Sequence, residues 1–206
     1  MLIEESLKSQ LRPILDELES DYELDIQIHP MHPQRADFVE LMEEFAALSP
    51  KISLRTREGD DLLFRIQKDG RDLGITFKSI PGEYEFSSLL MLLLNADGKG
   101  KNQPDAATLA RIKALPTPLQ LRTFMLITCP NCPDVVQALN MLTIAHGSAT
   151  HEIMDTQTHE FEANRADVQA VPAVFINGSL LHVGRTGLEV LLDKLELFLT
   201  TPNNTH

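Results

Sequence analysis

The 206-residue chain has no tryptophan, only two tyrosines and only two cysteines. So few flat aromatic rings leave no platform on which nucleic-acid bases could stack. A formal charge of −12 likewise argues against nucleic acid or an anionic membrane as a partner. Neither half hides a basic tail, because residues 1–115 hold 14 basic and 21 acidic side chains and residues 116–206 hold 4 and 9. No apolar run reaches the roughly 18 residues of a membrane span, and Met1-Leu2-Ile3-Glu4-Glu5 lacks the basic start and apolar core of a signal peptide. Two cysteines without an export signal point to a cytoplasmic protein, where a close cysteine pair is more often catalytic than structural.

What is present is a chain with 43% hydrophobic residues, enough for a sizeable core in one domain or two small ones. Both cysteines fall in Thr128-Cys129-Pro130-Asn131-Cys132-Pro133, where a strand pattern turns into a helix pattern. Leu119, Leu121, Phe124 and Met125-Leu126-Ile127 read as a buried strand; Val135, Val136, Leu139 and Leu142 recur at helical spacing, with Pro133 suited to the first turn. Cys129 then lies at a helix N-terminus, where free backbone N–H groups and the positive dipole end favour a thiolate and lower its pKa from about 8.5. A thiolate attacks disulfides, and Cys132 is spaced to resolve the mixed disulfide that results.

A bare C-x-x-C is weak, since it also serves as half a zinc site or as an idle pair of buried thiols. Its context adds Gln169-Ala170-Val171-Pro172-Ala173-Val174-Phe175-Ile176-Asn177-Gly178, in which a proline opens a β-branched run that ends in a turn. Proline is tolerated as the first residue of a strand, and a cis Val171–Pro172 bond suits that place. Together the two segments resemble the thioredoxin and glutaredoxin superfamily, in which such a cis-proline loop packs against the dithiol.

From the start of the chain, Ile3, Leu7, Leu11, Ile14 and Leu18 share a helical face, in which Pro13 should kink the helix or delay its start. Strand patterns follow at Leu24–Ile28, Ile52–Leu54, Leu62–Ile66 and Leu73–Phe77, with Asp69-Gly70 a hairpin signal between the last two. Helices are expected around Phe38–Leu48, Phe86–Leu94 and Leu109–Leu115, with a polar stretch from Asp97 to Pro104. Leu115-Pro116-Thr117-Pro118 is the natural linker. Beyond it come strand 119–127, helix 133–146, strand 149–155, a short helix near 158–166, strands 173–177 and 180–184, and helix 187–199. Both halves therefore follow one βαβ-ββα order. The expected fold is α/β, a tandem pair of thioredoxin-like folds: residues 1–115 redox-inactive, 116–200 redox-active, 201–206 a tail.

In the first copy, Ile28-His29-Pro30-Met31-His32-Pro33 occupies the strand-to-helix turn, with His29 and His32 set against Cys129 and Cys132. That copy also has no proline ahead of Leu62, so it reads as a degenerate repeat kept for packing and docking. A sharper reading makes His29 and His32 metal ligands, alone or with the cysteines; the plainer one makes them exposed loop residues.

The run 128–140, the Val171–Gly178 run and the opening Gln10-Leu11-Arg12 carry a closer resemblance, over about residues 1–198, to the N-terminal domain of the flavoprotein subunit of alkyl hydroperoxide reductase. The resemblance implies two fused thioredoxin-like folds with one dithiol, which passes electrons from an FAD- and NADH-dependent flavoprotein disulfide reductase to the disulfide of a two-cysteine peroxiredoxin. It implies Cys129 as the nucleophile, Cys132 as the resolving thiol and Glu85 as a carboxylate near the dithiol that helps proton transfer. On its own chemistry Glu85 is a first-turn acid favoured by the helix dipole. Two departures stand out. The family commonly has His after the first cysteine, whereas this chain has Pro130, a proline that resembles the glutaredoxins. No Gly-rich dinucleotide fingerprint and no second C-x-x-C follow, so no FAD or NADH site is expected in this chain. It reads as a fragment of a longer reductase or a free-standing carrier. A glutaredoxin-like protein-disulfide oxidoreductase and a structural or metal-binding protein are the alternatives.

Overall fold

A computed structural model describes residues 3–82, 84–100 and 103–201; most of the expected tail and part of the polar stretch 97–104 lie outside the described residues. The chain opens with helix α1 (Glu5–Leu15), which buries Leu11 and Leu15. Pro13 sits inside its last turn and does not delay its start. The first unit continues with β1 (Tyr22–Ile28), α2 (Arg35–Ala46), β2 (Ile52–Glu58), β3 (Leu63–Lys68), β4 (Arg71–Lys78) and α3 (Glu85–Ala96). After α4 (Ala106–Ala114), the second runs β5 (Gln120–Met125), α5 (Cys132–His146), β6 (Thr150–Asp155), α6 (Glu160–Arg165), β7 (Ala173–Ile176), β8 (Ser179–Val183) and α7 (Leu188–Thr200).

The repeat is visible in the pairing. All eight strands form one sheet in the order β2-β1-β3-β4-β6-β5-β7-β8, so each half has its second strand beside its first, then its third and fourth. The halves meet where β4 pairs with β6 in parallel, from Ile75↔His151 to Lys78↔Met154. Asp69 and Gly70 turn the β3–β4 hairpin with φ of 49° and 75°, the left-handed pair that matches strand twist. At the seam, Gly74 has φ of 74°, and a Cβ there would lie 2.6 Å from the Ala149 carbonyl oxygen.

Alternation along the strands divides the core. Leu121, Val174 and Ile176 face α4, α5 and α7, whereas Phe124, Ala173 and Phe175 face α6 on the opposite side. In the first unit Ile26, Phe64, Ile66, Ile75 and Phe77 face α2 and α3, and this cluster extends across the seam to Met125, Cys132, Val136 and Ile153. The stacked rings of Phe64 and Phe77, with centroids 4.6 Å apart, lie at its centre. No helix links β2 to β3, and the other face of the first unit carries pairs such as Asp25–Arg57 and Glu23–Arg55. From the repeat we propose a division at the Leu115–Pro118 linker, although in packing α4 joins the second unit's core through Ile112.

Candidate functional site

Strands β1, β2, β4, β5 and β6 all point one way, which brings their C-terminal turns to a single end of the molecule. The turn after β5 holds the cysteines. Its apolar strand ends at Met125, and α5 begins at Cys132 with Pro133 in the first turn, where a missing N–H removes no helical bond. The N-cap Asn131 makes no side-chain cap, so the positive end of α5 is left toward the dithiol. The Cys129 N–H donates to the Leu126 carbonyl (3.0 Å) and the Cys132 N–H to the Cys129 carbonyl (3.3 Å).

The two thiols are both free and differ in access: Cys129 is partly exposed, Cys132 fully buried. Burial, with the Cys129 thiol and then the Glu85 carboxylate beside it, pushes the Cys132 thiol well above its ordinary range. An outer thiol that a partner can reach is thus paired with an inner one held protonated until a base takes its proton.

The Val171–Pro172 bond is cis, as the sequence suggests. Because β7 pairs with β5 through Phe124↔Ala173, Pro172 lies beside the end of the strand that carries the dithiol, and Val171 packs against the cluster that holds both cysteines. A second cis bond, Thr117–Pro118, lies in the linker, where no sequence pattern signals it.

Glu85 is the first residue of α3, which packs along α5, so the first unit delivers a carboxyl to the second unit's dithiol. It is 0% exposed and neither carboxyl oxygen has a hydrogen-bond partner. Burial pushes its pKa up to about 7, the Asp155 carboxylate adds to the rise, and Ser88 one turn along opposes it without a well-formed hydrogen bond. Asp155, at the end of β6, is a residue sequence reasoning missed. It is 3% exposed, with its own pKa raised by burial against the Gln157 N–H and His159. Its sequence signals are its place at the end of the strand next to the cysteine strand and its period-two spacing from Ile153 and His151, which share its buried face. Also missed is a buried chain in which the His151 ring bridges Thr123 Oγ1 and Asn140 Oδ1, each at 2.8 Å, with burial lowering its pKa to about 3.

The histidine turn requires a correction. In the first unit the His32 N–H bonds the His29 carbonyl and the Arg35 N–H bonds the His32 carbonyl, and α2 starts at Arg35. That pattern superposes His32 on Cys129 and Arg35 on Cys132, three residues away from the match of His29 and His32 to the cysteines. Each ring Nδ1 accepts from its own backbone, His29 from the Met31 N–H and His32 from the Gln34 N–H. Among the described residues no group of three or more His, Cys, Asp or Glu is placed to hold a metal ion.

The fold is a pair of thioredoxin-like units in one sheet, with the dithiol in the second. A family model described as a thioredoxin domain matches residues 124–196. The whole chain is similar to the F subunit of alkyl hydroperoxide reductase: 29% identical over 198 residues to that of Pseudomonas aeruginosa (95% of this chain, 37% of the relative) and 31% over 195 residues to that of Staphylococcus aureus (94% and 38%). It is also 32% identical over 196 residues to a Bacillus subtilis protein named NADH dehydrogenase (95% and 38%). The chain thus spans under two fifths of the length of these relatives. The crystal structure of the N-terminal domain of the corresponding Enterococcus faecalis reductase matches with a TM-score of 0.85 at 24% identity, over 94% of this chain and 99% of that one. A protein disulfide oxidoreductase from Aeropyrum pernix matches with a TM-score of 0.79 at 20% identity, over 94% and 92%. These structural likenesses carry the fold. No helix among the described residues is long and apolar enough to cross a membrane.

Proposed function

We propose that this chain is a thiol-disulfide oxidoreductase that relays an electron pair through Cys129 and Cys132, from a flavoprotein disulfide reductase to the disulfide of a two-cysteine peroxiredoxin. The observation that carries this reading is the asymmetry of the pair, one thiol accessible before the uncapped start of α5 and the other buried beside Glu85. The similarity to the alkyl hydroperoxide reductase relatives supports the redox role.

The Cys129 thiolate attacks one sulfur of the partner disulfide; the partner's S–S bond breaks, an intermolecular disulfide forms and the partner's other sulfur leaves as thiolate. Glu85, whose pKa of about 7 leaves it part ionised at neutral pH, then accepts the Cys132 proton. The Cys132 thiolate attacks Cys129 Sγ and expels the reduced partner, leaving Cys129–Cys132 as the disulfide and two electrons on the partner. Val171 and cis Pro172 wall the site. The flavoprotein reductase, drawing on FAD and NADH held by a partner or by the rest of a longer chain, restores the dithiol; the chain itself holds no cofactor in this reading and works in the cytoplasm.

The test is reduction of an oxidised two-cysteine peroxiredoxin by the pre-reduced chain, followed by the appearance of peroxiredoxin thiols. Stoichiometric transfer of one electron pair is expected. Failure on the peroxiredoxin, with turnover on glutathione mixed disulfides, would replace it with the glutaredoxin-like reading.

A further inference from the structure

The chain has nine Phe and two Tyr, and only two of these eleven rings are exposed: Tyr84 at 49% and Phe161 at 75%. Both lie at the end of the molecule that holds the dithiol. Tyr84 is the N-cap of α3, and Phe161 is in the first turn of α6, which follows β6. In the sheet order, β4 lies two strands from β5 and β6 one, so the turns carrying these rings are displaced from the cysteine turn by about 10 and about 5 Å. Helix α3 shares the sheet face of α5, whereas α6 covers the opposite face. Along the sheet both rings therefore stand on the β4–β6 side of Cys129, one on each face.

We propose that Tyr84 and Phe161 are the aromatic anchors of a docking surface, built from both thioredoxin-like units, that seats the protein whose disulfide Cys129 attacks. This rests on the proposed function above. A specific protein interface covers about 800 Å² on each partner, a disc of about 16 Å radius, and one centred on Cys129 takes in both rings. Exposed aromatics are the side chains that most often carry binding energy in such a patch. Their separation across two faces of the sheet suits a folded partner and not a small disulfide. Clefts of about 560, 420 and 680 Å³ open elsewhere, and Cys129 lines none of them. Met31, 83% exposed on the first unit's turn and about 19 Å away by strand count, lies at the rim. The redox-inactive unit thus supplies half of the recognition surface through α3.

The test compares the intact chain with Tyr84→Ser, Phe161→Ser and the double variant, using oxidised two-cysteine peroxiredoxin as one substrate and the small disulfide 5,5′-dithiobis(2-nitrobenzoate) as the other. With the pre-reduced chain in single turnover, each single change is expected to raise the half-saturating peroxiredoxin concentration about fivefold and the double change about 30-fold, as typical anchor losses do, with the limiting rate and the small-disulfide rate within about twofold of the parent. Leu197→Ser, equally apolar and 69% exposed but well along α7, controls for loss of apolar surface and should leave both rates unchanged. An unchanged half-saturating concentration in the double variant overturns the docking surface while leaving the electron relay intact. A parent chain that reduces the small disulfide but not the peroxiredoxin overturns both.

Discussion

Replacing Glu85 by Gln should stabilise the protein at neutral and alkaline pH and slow it as a catalyst. Gln keeps the shape and removes the charge that burial disfavours. The rise of the Glu85 pKa from 4.5 to about 7 corresponds to about 3 kcal/mol between its protonation states. Below pH 4.5 the carboxyl is protonated in folded and unfolded chains alike and contributes nothing. Between 4.5 and about 7 only the unfolded chain releases the proton, so stability falls as pH rises, and above about 7 the loss is complete. Parent and Glu85→Gln should therefore have similar denaturant midpoints at about pH 4.5, and the variant should gain up to about 3 kcal/mol by about pH 8, less whatever its amide loses by lacking partners in the same site. Without a proton acceptor beside Cys132, the resolving step should slow by about 100-fold, seen as accumulation of the Cys129–peroxiredoxin mixed disulfide in quenched-flow gels. Parallel pH–stability curves for the two proteins would refute the raised pKa; an unaltered resolving rate would refute the role of Glu85 in proton transfer.

Cys129→Ser should abolish electron transfer to the peroxiredoxin, whereas Cys132→Ser should trap the mixed disulfide, visible as a non-reducing gel band that dithiothreitol removes; a full rate in either variant would refute the assignment of the two thiols. Gly74→Ala should cost about 2 kcal/mol or more, read as a fall of several degrees in Tm, because the residue has φ of 74° and its new methyl group meets the Ala149 carbonyl at 2.6 Å. A Tm within about a degree of the parent would show that the β4–β6 seam yields more easily than its geometry indicates.

Much of the fold is legible because the signals are local. Period-two apolar runs mark the strands, Asp69-Gly70 marks a hairpin whose geometry needs positive φ at both residues, and Val171-Pro172 opens a strand where the missing N–H costs no ladder bond. The joining of the two halves into one sheet is not legible, since the pairing of Ile75 with His151 is a long-range choice between two unremarkable strands. The histidine register misleads for a physical reason as well. Pro33 and Pro133 look equivalent because both follow a strand-to-helix turn, yet proline is equally at home just ahead of a helix, as Pro33 is, and within its first turn, as Pro133 is. Helix starts and the turn's backbone bonds decide the match, and they pair His32 with Cys129. Around the dithiol, Cys129, Cys132 and Pro172 can be read from spacing. Asp155 falls on the buried face of its strand with His151 and Ile153, but an acidic side chain at a strand end reads as exposed, so the alternation alone does not mark it as buried.

The most direct measurement of the central claim is a redox titration of Cys129 and Cys132 in defined dithiol buffers, with alkylation and mass readout of each thiol state. A working relay requires a reversible two-electron transition with a midpoint between roughly −300 and −180 mV, the span of catalytic dithiols. Thiols that stay reduced across that span, or that alkylate only after a chelator is added, would contradict it and leave the pair a structural or metal-bound feature.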